Sequence, residues 1–371
     1  MTLGDGGPHQ VAPGDGSERG PAGAATFDAD GPLRILDGPP TELLGGSVLE
    51  FLRALGAPTA FVQRGRHRAP RRVLVTLLHG DEPSGIVALW TWLQSGATPF
   101  ADTLFIVGNV DAATAPPGFA WRHLDTERDL NRCFAEPFTG RQGALCRSIL
   151  DVIRDFEPAC LIDVHNTSGV GPAFGVTPEH SVVHESLMTG FSEKLIVSGI
   201  RLGALMEAAN EICPSITVEC GGAIDTYADN VAAQGFDVFL NAEDPLRTEG
   251  RDTPMEVLHH PVRIELTPER SIGYGDRPGG ADVVLLPEVE RFNFGIVTPD
   301  HQLGWLGEHG LHALTAFTVD GRDVISDVLT RDQTGSMRPV RDLKLFMVTT
   351  RPQAARDDCL FYAIRADHVR W

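Results

Sequence analysis

Residues 71–94 read RRVLVTLLHGDEPSGIVALWTWLQ. The first ten, RRVLVTLLHG, are dense in Val and Leu and end in Gly, as a strand buried on both faces should be. From Ser84 the apolar residues fall at helical spacing through SGIVALWTWLQ, so a helix follows directly. The same alternation runs onward. TLFIVGNV at 103–110, ACLIDVHN at 159–166 and SITVECGG at 215–222 are further buried-strand runs, and helical spacing occupies 141–156, a run around 183–196, and 223–240. Strands separated by helices predict an α/β domain with a mostly parallel sheet.

The texture differs on either side of this region. Residues 1–30 are rich in Gly, Pro, Ala and Asp and nearly free of large apolar side chains, so a disordered leader is expected there. After about residue 250 the chain breaks into short alternating runs (VRIELT, DVVLLP, LTAFTV, LKLFMVTT, LFYAIR) punctuated by Gly, Pro and Asp. That pattern predicts a smaller β-rich domain over 251–371, following an α/β domain over 31–250.

Bulk properties narrow the function classes. Of 371 residues, 50 are acidic and 31 basic, a net charge of -19 spread without long runs of one sign, which argues against a nucleic-acid or anionic-membrane surface. No stretch approaches the ~18 uninterrupted apolar residues of a membrane span, and the N-terminus lacks the basic start and apolar core of a secretion signal, so a cytoplasmic protein is expected. The six cysteines form no CxxC pair, which speaks against a thiolate zinc site and a disulfide framework alike.

The chemistry gathers where strands run out. His79-Gly80-Asp81-Glu82 stands between a buried strand and a helix, and the carboxyl ends of strands in open α/β sheets form the ligand crevice. An imidazole and a carboxylate three positions apart can meet one tetrahedral metal. Alone, such a tetrad reads as well as a surface His beside acids favoured at a helix start. His165, in LIDVHNTSG, ends another apolar strand and completes a His2Glu set that leaves a fourth position open for water.

Two more features complete the set. Asp129-Leu130-Asn131-Arg132 lies in a loop: Arg132 can grip a carboxylate in bidentate fashion, Asn131 can add directed hydrogen bonds, and Asp129 can orient a metal-bound imidazole. Glu219, in ITVECGG, puts a carboxyl at the end of an apolar strand, where burial and a nearby cation can tune it to take and return a proton.

In this order, across roughly residues 70–245, these elements resemble the succinylglutamate desuccinylase/aspartoacylase family, itself related to the zinc carboxypeptidases. The resemblance implies a catalytic α/β domain of zinc-carboxypeptidase-like fold, its mixed sheet flanked by helices, and one Zn²⁺ per chain on His79, Glu82 and His165. It further implies Asn131 and Arg132 as substrate-carboxylate ligands and Glu219 as general base and then acid. The family also has an arginine shortly before DLNR that polarises the scissile carbonyl. Trp121-Arg122-His123-Leu124-Asp125 fits that run best and nominates Arg122, with Arg128 the alternative because the spacing is about two residues longer than usual.

The expected function is therefore zinc-dependent hydrolysis of the linear amide of a small N-acyl amino acid or related carboxylate. The rival readings are a zinc carboxypeptidase for short peptides or γ-glutamyl conjugates, and a non-catalytic zinc-binding sensor. The expected partner is a small molecule, with neither nucleic acid nor membrane; the sequence leaves open whether the chain forms a homo-oligomer.

Overall fold

The structure is a computed structural model that describes Met1, residues 31–247 and residues 254–367. Apart from Met1, the leader expected over 1–30 lies outside the described residues. A nine-stranded sheet contains β1 (Arg34–Leu36), β2 (Thr59–Gln63), β3 (His67–Thr76), β4 (Ala101–Val107), β5 (Cys160–Thr167), β6 (Phe174–Thr177), β7 (Lys194–Val197), β8 (Ser215–Gly222) and β9 (Glu256–His259). Its spatial order is β1-β2-β4-β3-β5-β8-β6-β7-β9. Neighbours are parallel except where β2 meets β4 and β6 meets β8.

Strand periodicity divides the core in two. Leu74 joins one apolar cluster, with Phe51 and Leu52 of α1 (Val48–Leu55), Leu89 of α2 (Ser84–Ser95) and Phe236 of α7 (Thr226–Asn241). Its neighbours Val73 and Val75 join the other, with Ile149 and Ile153 of α4 (Gly140–Phe156) and Leu205 of α6 (Leu205–Ala209). Successive side chains of one strand thus feed opposite faces, and each face is sealed by helices. Two shorter helices, α3 (Val110–Thr114) and α5 (Val182–Leu187), fill connections. Buried Arg72 donates to the Phe239 and Ala242 carbonyls at the C-terminal end of α7, a placement that satisfies orphan acceptors of that helix.

The run around 183–196, read as helical, is not one helix. α5 stops at Leu187, Gly190 turns at φ 89, and Lys194–Val197 pairs as β7 between β6 and β9. A Cβ on Gly190 would come within 2.7 Å of the Val238 Cβ, so the close approach to α7 demands a glycine where a helix would have continued.

Beyond the large sheet the chain is β-rich. Its strands are β10 (Val262–Leu266), β11 (Ile272–Tyr274), β12 (Val283–Leu285), β13 (Ile296–Val297), β14 (Gly304–Leu306), β15 (Leu314–Phe317), β16 (Leu329–Arg331), β17 (Ser336–Pro339), β18 (Leu343–Phe346) and β19 (Phe361–Arg365). They form two five-stranded sheets, β13-β18-β19-β10-β15 and β11-β12-β14-β17-β16, around a separate apolar cluster. The helices α8 (Ile325–Val328) and α9 (Pro352–Asp357) lie in this region. A fourth cluster joins the two parts: Phe174, Ile196 and Leu258 of the large sheet pack with Phe346, Tyr362 and Ile364 of β18 and β19. The mostly parallel α/β sheet and the β-rich C-terminal region expected from the sequence are both present.

Candidate metal centre and active site

β3, β5 and β8 are consecutive, parallel neighbours in the sheet, so their carboxyl ends open on one edge. β3 ends at Thr76, Leu77 takes φ 62, and the chain swings His79 and Glu82 over that edge before α2 begins. His165 lies near the carboxyl end of β5 and is the register partner of Glu219 on β8; two residues earlier, Asp163 pairs with Thr217. Side chains alternate along a strand, so all four lie on one face.

The three donors converge. His79, Glu82 and His165 are buried, and one ligand atom from each lies within 4.8 Å of the others. The Glu82 carboxylate sits between the rings, with Oε1 2.8 Å from Nδ1 of His79 and Oε2 2.6 Å from Nδ1 of His165, and the two Nδ1 atoms are 3.1 Å apart. Each ring turns its other nitrogen to a carboxylate: Nε2 of His79 is 3.1 Å from Asp129 Oδ1, and Nε2 of His165 is 2.8 Å from Asp163 Oδ2. Two imidazoles and one carboxylate meeting at a point, each imidazole backed by a carboxylate, is the donor set and support that Zn²⁺ takes in hydrolytic sites. The residues present therefore fit the metal.

The electrostatics agree. Burial alone would raise the Glu82 carboxyl, but the two histidines outweigh it and hold the group far below the usual carboxylate range. Burial would also make His165 less basic, yet Asp163 and Glu82 outweigh it and keep the ring well above its ordinary pKa. The pocket stabilises positive charge at the place where the donors meet.

The loop carrying Glu82 is pinned from several sides. The backbone N–H of Asn166 donates to Glu82 Oε2 at 3.2 Å, while its side-chain amide donates to Ser84 Oγ and the Gly221 carbonyl and accepts from the Ser84 N–H. Asn166 thus ties the start of α2 to the ends of β5 and β8. Gly80 donates its N–H to the Arg122 carbonyl at 2.9 Å, and a Cβ there would meet Ala112 Cβ, Ala113 N and Trp121 O at 2.6 Å.

Arg122 reaches into the site. Its Nε donates to Asp129 Oδ2 at 2.9 Å, its Nη1 to Glu82 Oε1 at 3.3 Å, and its Nη2 lies 3.7 Å from Asp358 Oδ2. Arg128 does not share this place: it is exposed, and its Nη1 contacts Thr139 Oγ1 at 3.4 Å. Asp129 joins His79 to Arg122 and accepts the Asn131 N–H at 2.8 Å. Asn131 is buried with Oδ1 accepting from the Leu205 N–H, and Arg132 donates to Asp358 Oδ1 at 2.9 Å.

Glu219 is buried, and its Oε2 has no hydrogen-bond partner. Burial, with Glu82 adding to it, pushes its carboxyl up to about 7. It lines a cavity of about 790 Å³, open mouth included, together with His79, Glu82, His165, Arg122, Asn131 and Arg132. A second cavity, of about 1150 Å³, meets the first at Glu82, Arg122, Asn166, Ser168 and Asp358.

Three residues at this site were not singled out in the sequence. Asp163 had a legible signal, since an acid two positions before a strand-end His shares its face. Asn166, next to His165 in the chain, had none that separated it from any polar strand-end residue. Asp358 comes from the turn after α9, and it accepts from Arg132 and Arg263 at 2.9 and 2.7 Å; no local pattern tells that this loop returns to the sheet edge.

No family model and no curated protein sequence matches the chain. Solved structures do match in fold. A succinylglutamate desuccinylase from Vibrio parahaemolyticus superposes with a TM-score of 0.57 at 14% identity, over 87% of this chain and 96% of that one. A succinylglutamate desuccinylase/aspartoacylase from Rhodobacter sphaeroides gives 0.52 at 14% identity, over 82% and 87%. A succinylglutamate desuccinylase from Vibrio cholerae gives 0.50 at 16% identity, over 82% and 96%. The chain has the desuccinylase/aspartoacylase fold, the one that its motifs resemble.

Proposed function

We propose that this chain is a zinc-dependent hydrolase that cleaves the amide bond of a small N-acyl amino acid or related carboxylate. One observation carries the reading: a His2Glu donor set converges beside a buried carboxylate, Glu219, that has an unpartnered oxygen and faces the same cavity. The fold, shared with structures named desuccinylases, and the motif resemblance support it.

His79, Glu82 and His165 would hold the metal, one per chain, which when bound supplies Lewis acidity and lowers the pKa of water. Asp129 and Asp163 fix which ring nitrogens face it. Glu219 accepts the proton of the attacking water and delivers it to the leaving amine, for which a carboxyl pushed up by burial is suited. Arg122, fixed on Asp129 and Glu82, stabilises the negative charge that grows on the scissile carbonyl oxygen. Asn131 and Arg132 bind the substrate carboxylate, with Arg132 shared between it and Asp358. Residues 31–250, joined in the large sheet by β9, carry the donors and Glu219, and the rest of the β-rich 251–371 narrows access to them.

Elemental analysis of protein purified without added metal, with hydrolysis of N-acetyl amino acids before and after chelation, tests the reading. About one zinc per chain and chelator-sensitive cleavage are expected. Only traces of transition metal, or activity indifferent to chelation, would overturn it. A second reading, a carboxypeptidase for short peptides, is favoured by the second cavity, which gives room beyond the reacting centre; release of single residues from peptides, with N-acetyl amino acids left intact, would select it.

A further inference from the structure

Resting on the amide-hydrolase reading, we propose that the amine half of the substrate is an apolar amino acid of about leucine to phenylalanine size, carrying one carboxylate, and is not a dicarboxylic amino acid. The cavity that holds Glu219, Asn131 and Arg132 extends away from the donors into an apolar chamber. Its wall is made by Val176 and Ile196 of β6 and β7, Ile200, Met206 of α6, and Phe346 and Tyr362 of β18 and β19. Ile196, Phe346 and Tyr362 belong to the cluster that joins the two parts of the chain, with Val176 and Ile200 packed against it. The Phe346 and Tyr362 rings stack at 5.1 Å and 14°. This wall is anchored in packed core on its far side, so it offers a pre-formed apolar surface.

The charges in the chamber are already matched. Among the described residues that line it, Arg122 and Arg132 are the arginines, and the lining includes no lysine. Both lie against Asp358, and Arg122 is also taken by Asp129 and Glu82. The other lining carboxylate away from the donors, Glu207, accepts the N–H groups of Leu202 and Gly203 at 2.9 and 3.2 Å. One carboxylate of the substrate can share Arg132 with Asp358. A second, entering the chamber, would meet Glu207, apolar side chains and the hydroxyls of Ser198 and Thr217 but no unshared cation, and a desolvated charge without a counter-ion is strongly disfavoured. An apolar side chain there loses water and gains the wall.

The test is a ranking on the zinc-loaded full chain. The kcat/KM values of the N-acetyl derivatives of leucine, methionine and phenylalanine should exceed those of N-acetyl-aspartate and N-acetyl-glutamate by about 100-fold or more, the scale on which pockets discriminate. Calorimetric binding of the free amino acids should follow the same order. Ile200→Arg, which puts a cation on the half-buried rim of the chamber, should narrow the ratio at least tenfold. Aspartate or glutamate derivatives cleaved as well as the apolar ones, or aspartate bound more tightly than leucine, would overturn the inference while the hydrolase reading stands. Apolar amino acids bound in the expected order, with no amide of the panel cleaved, would sink the hydrolase reading and keep the chamber's assignment.

Discussion

His165 and Glu219 are register partners on adjacent parallel strands, one a member of the donor set and the other the carboxyl with an unpartnered oxygen. Their separation is set by the spacing of a strand pair and not by a flexible loop, so the distance between the donor set and Glu219 is a property of the sheet. A site built on strand ends is stiffer than one on loops, which suits proton transfer over one water.

Glu219→Gln keeps the shape and removes the base. Its kcat should fall by about 10²- to 10⁴-fold, the usual worth of positioned proton transfer, while zinc content stays at the wild-type level. Elemental analysis beside steady-state kinetics measures both. A variant with half the wild-type kcat would assign the proton to another group.

Arg122 and Arg128 should separate cleanly. Arg122→Ala removes a donor for charge that develops during reaction, so kcat should drop by roughly 10²- to 10³-fold with little change in KM. Arg128→Ala touches an exposed side chain near Thr139 and should stay within about twofold of wild type. The reverse pattern would move the carbonyl-polarising role to Arg128.

Asp358→Asn should destabilise the protein at neutral pH by about 2–4 kcal/mol, since it strips the shared counter-charge from Arg132 and Arg263 in a largely buried setting. Burial would raise the Asp358 carboxyl, but Arg132, Arg122 and Arg263 outweigh it and hold the group below its ordinary value. A carboxyl depressed by folding stabilises the fold above its unfolded pKa of about 3.9 and loses that contribution as pH falls through the folded value. Urea melts should therefore show the gap between wild type and variant narrowing below about pH 4; a gap independent of pH would mean that the charge is not what matters.

Gly80→Ala brings a methyl to 2.6 Å from two backbone atoms, neither of which can swing away as a side-chain tip would. A cost of about 1–3 kcal/mol is expected from overpacking. Because Gly80 also carries the hydrogen bond to the Arg122 carbonyl, kcat should fall with stability. Denaturant melts and kinetics on the same preparation check it, and an unshifted midpoint would show that the loop yields.

The four central strands β4, β3, β5 and β8 were legible because they are largely buried and read as unbroken apolar runs, whereas the short outer strands β1, β2, β6, β7 and β9 lack such runs and were not legible. Each polar residue interrupting a central run near its carboxyl end stands out, as His165 and Glu219 do. α5 and β7 were not legible as separate elements, because apolar residues around 183–196 satisfy helical spacing and the decisive fact, the contact between Gly190 and Val238, lies across the fold. The donors could be read from type and position. The chamber could not: Ile196, Met206 and Phe346 look like any core residues until the fold brings β18 against β7. Asp358 was hidden for the same reason, being 226 residues from the arginine it bonds.

That separation sets an order of assembly. Every donor is made once the chain through β5 is, whereas Phe346 and Tyr362 of the apolar wall and the Asp358 counter-charge belong to β18, β19 and the turn after α9, so a ribosome exposes the donors long before it exposes the residues that complete the proposed chamber. Closing a contact across so many residues is slow relative to local folding. Between the two events the chain carries the donor set with one side of the proposed chamber still open.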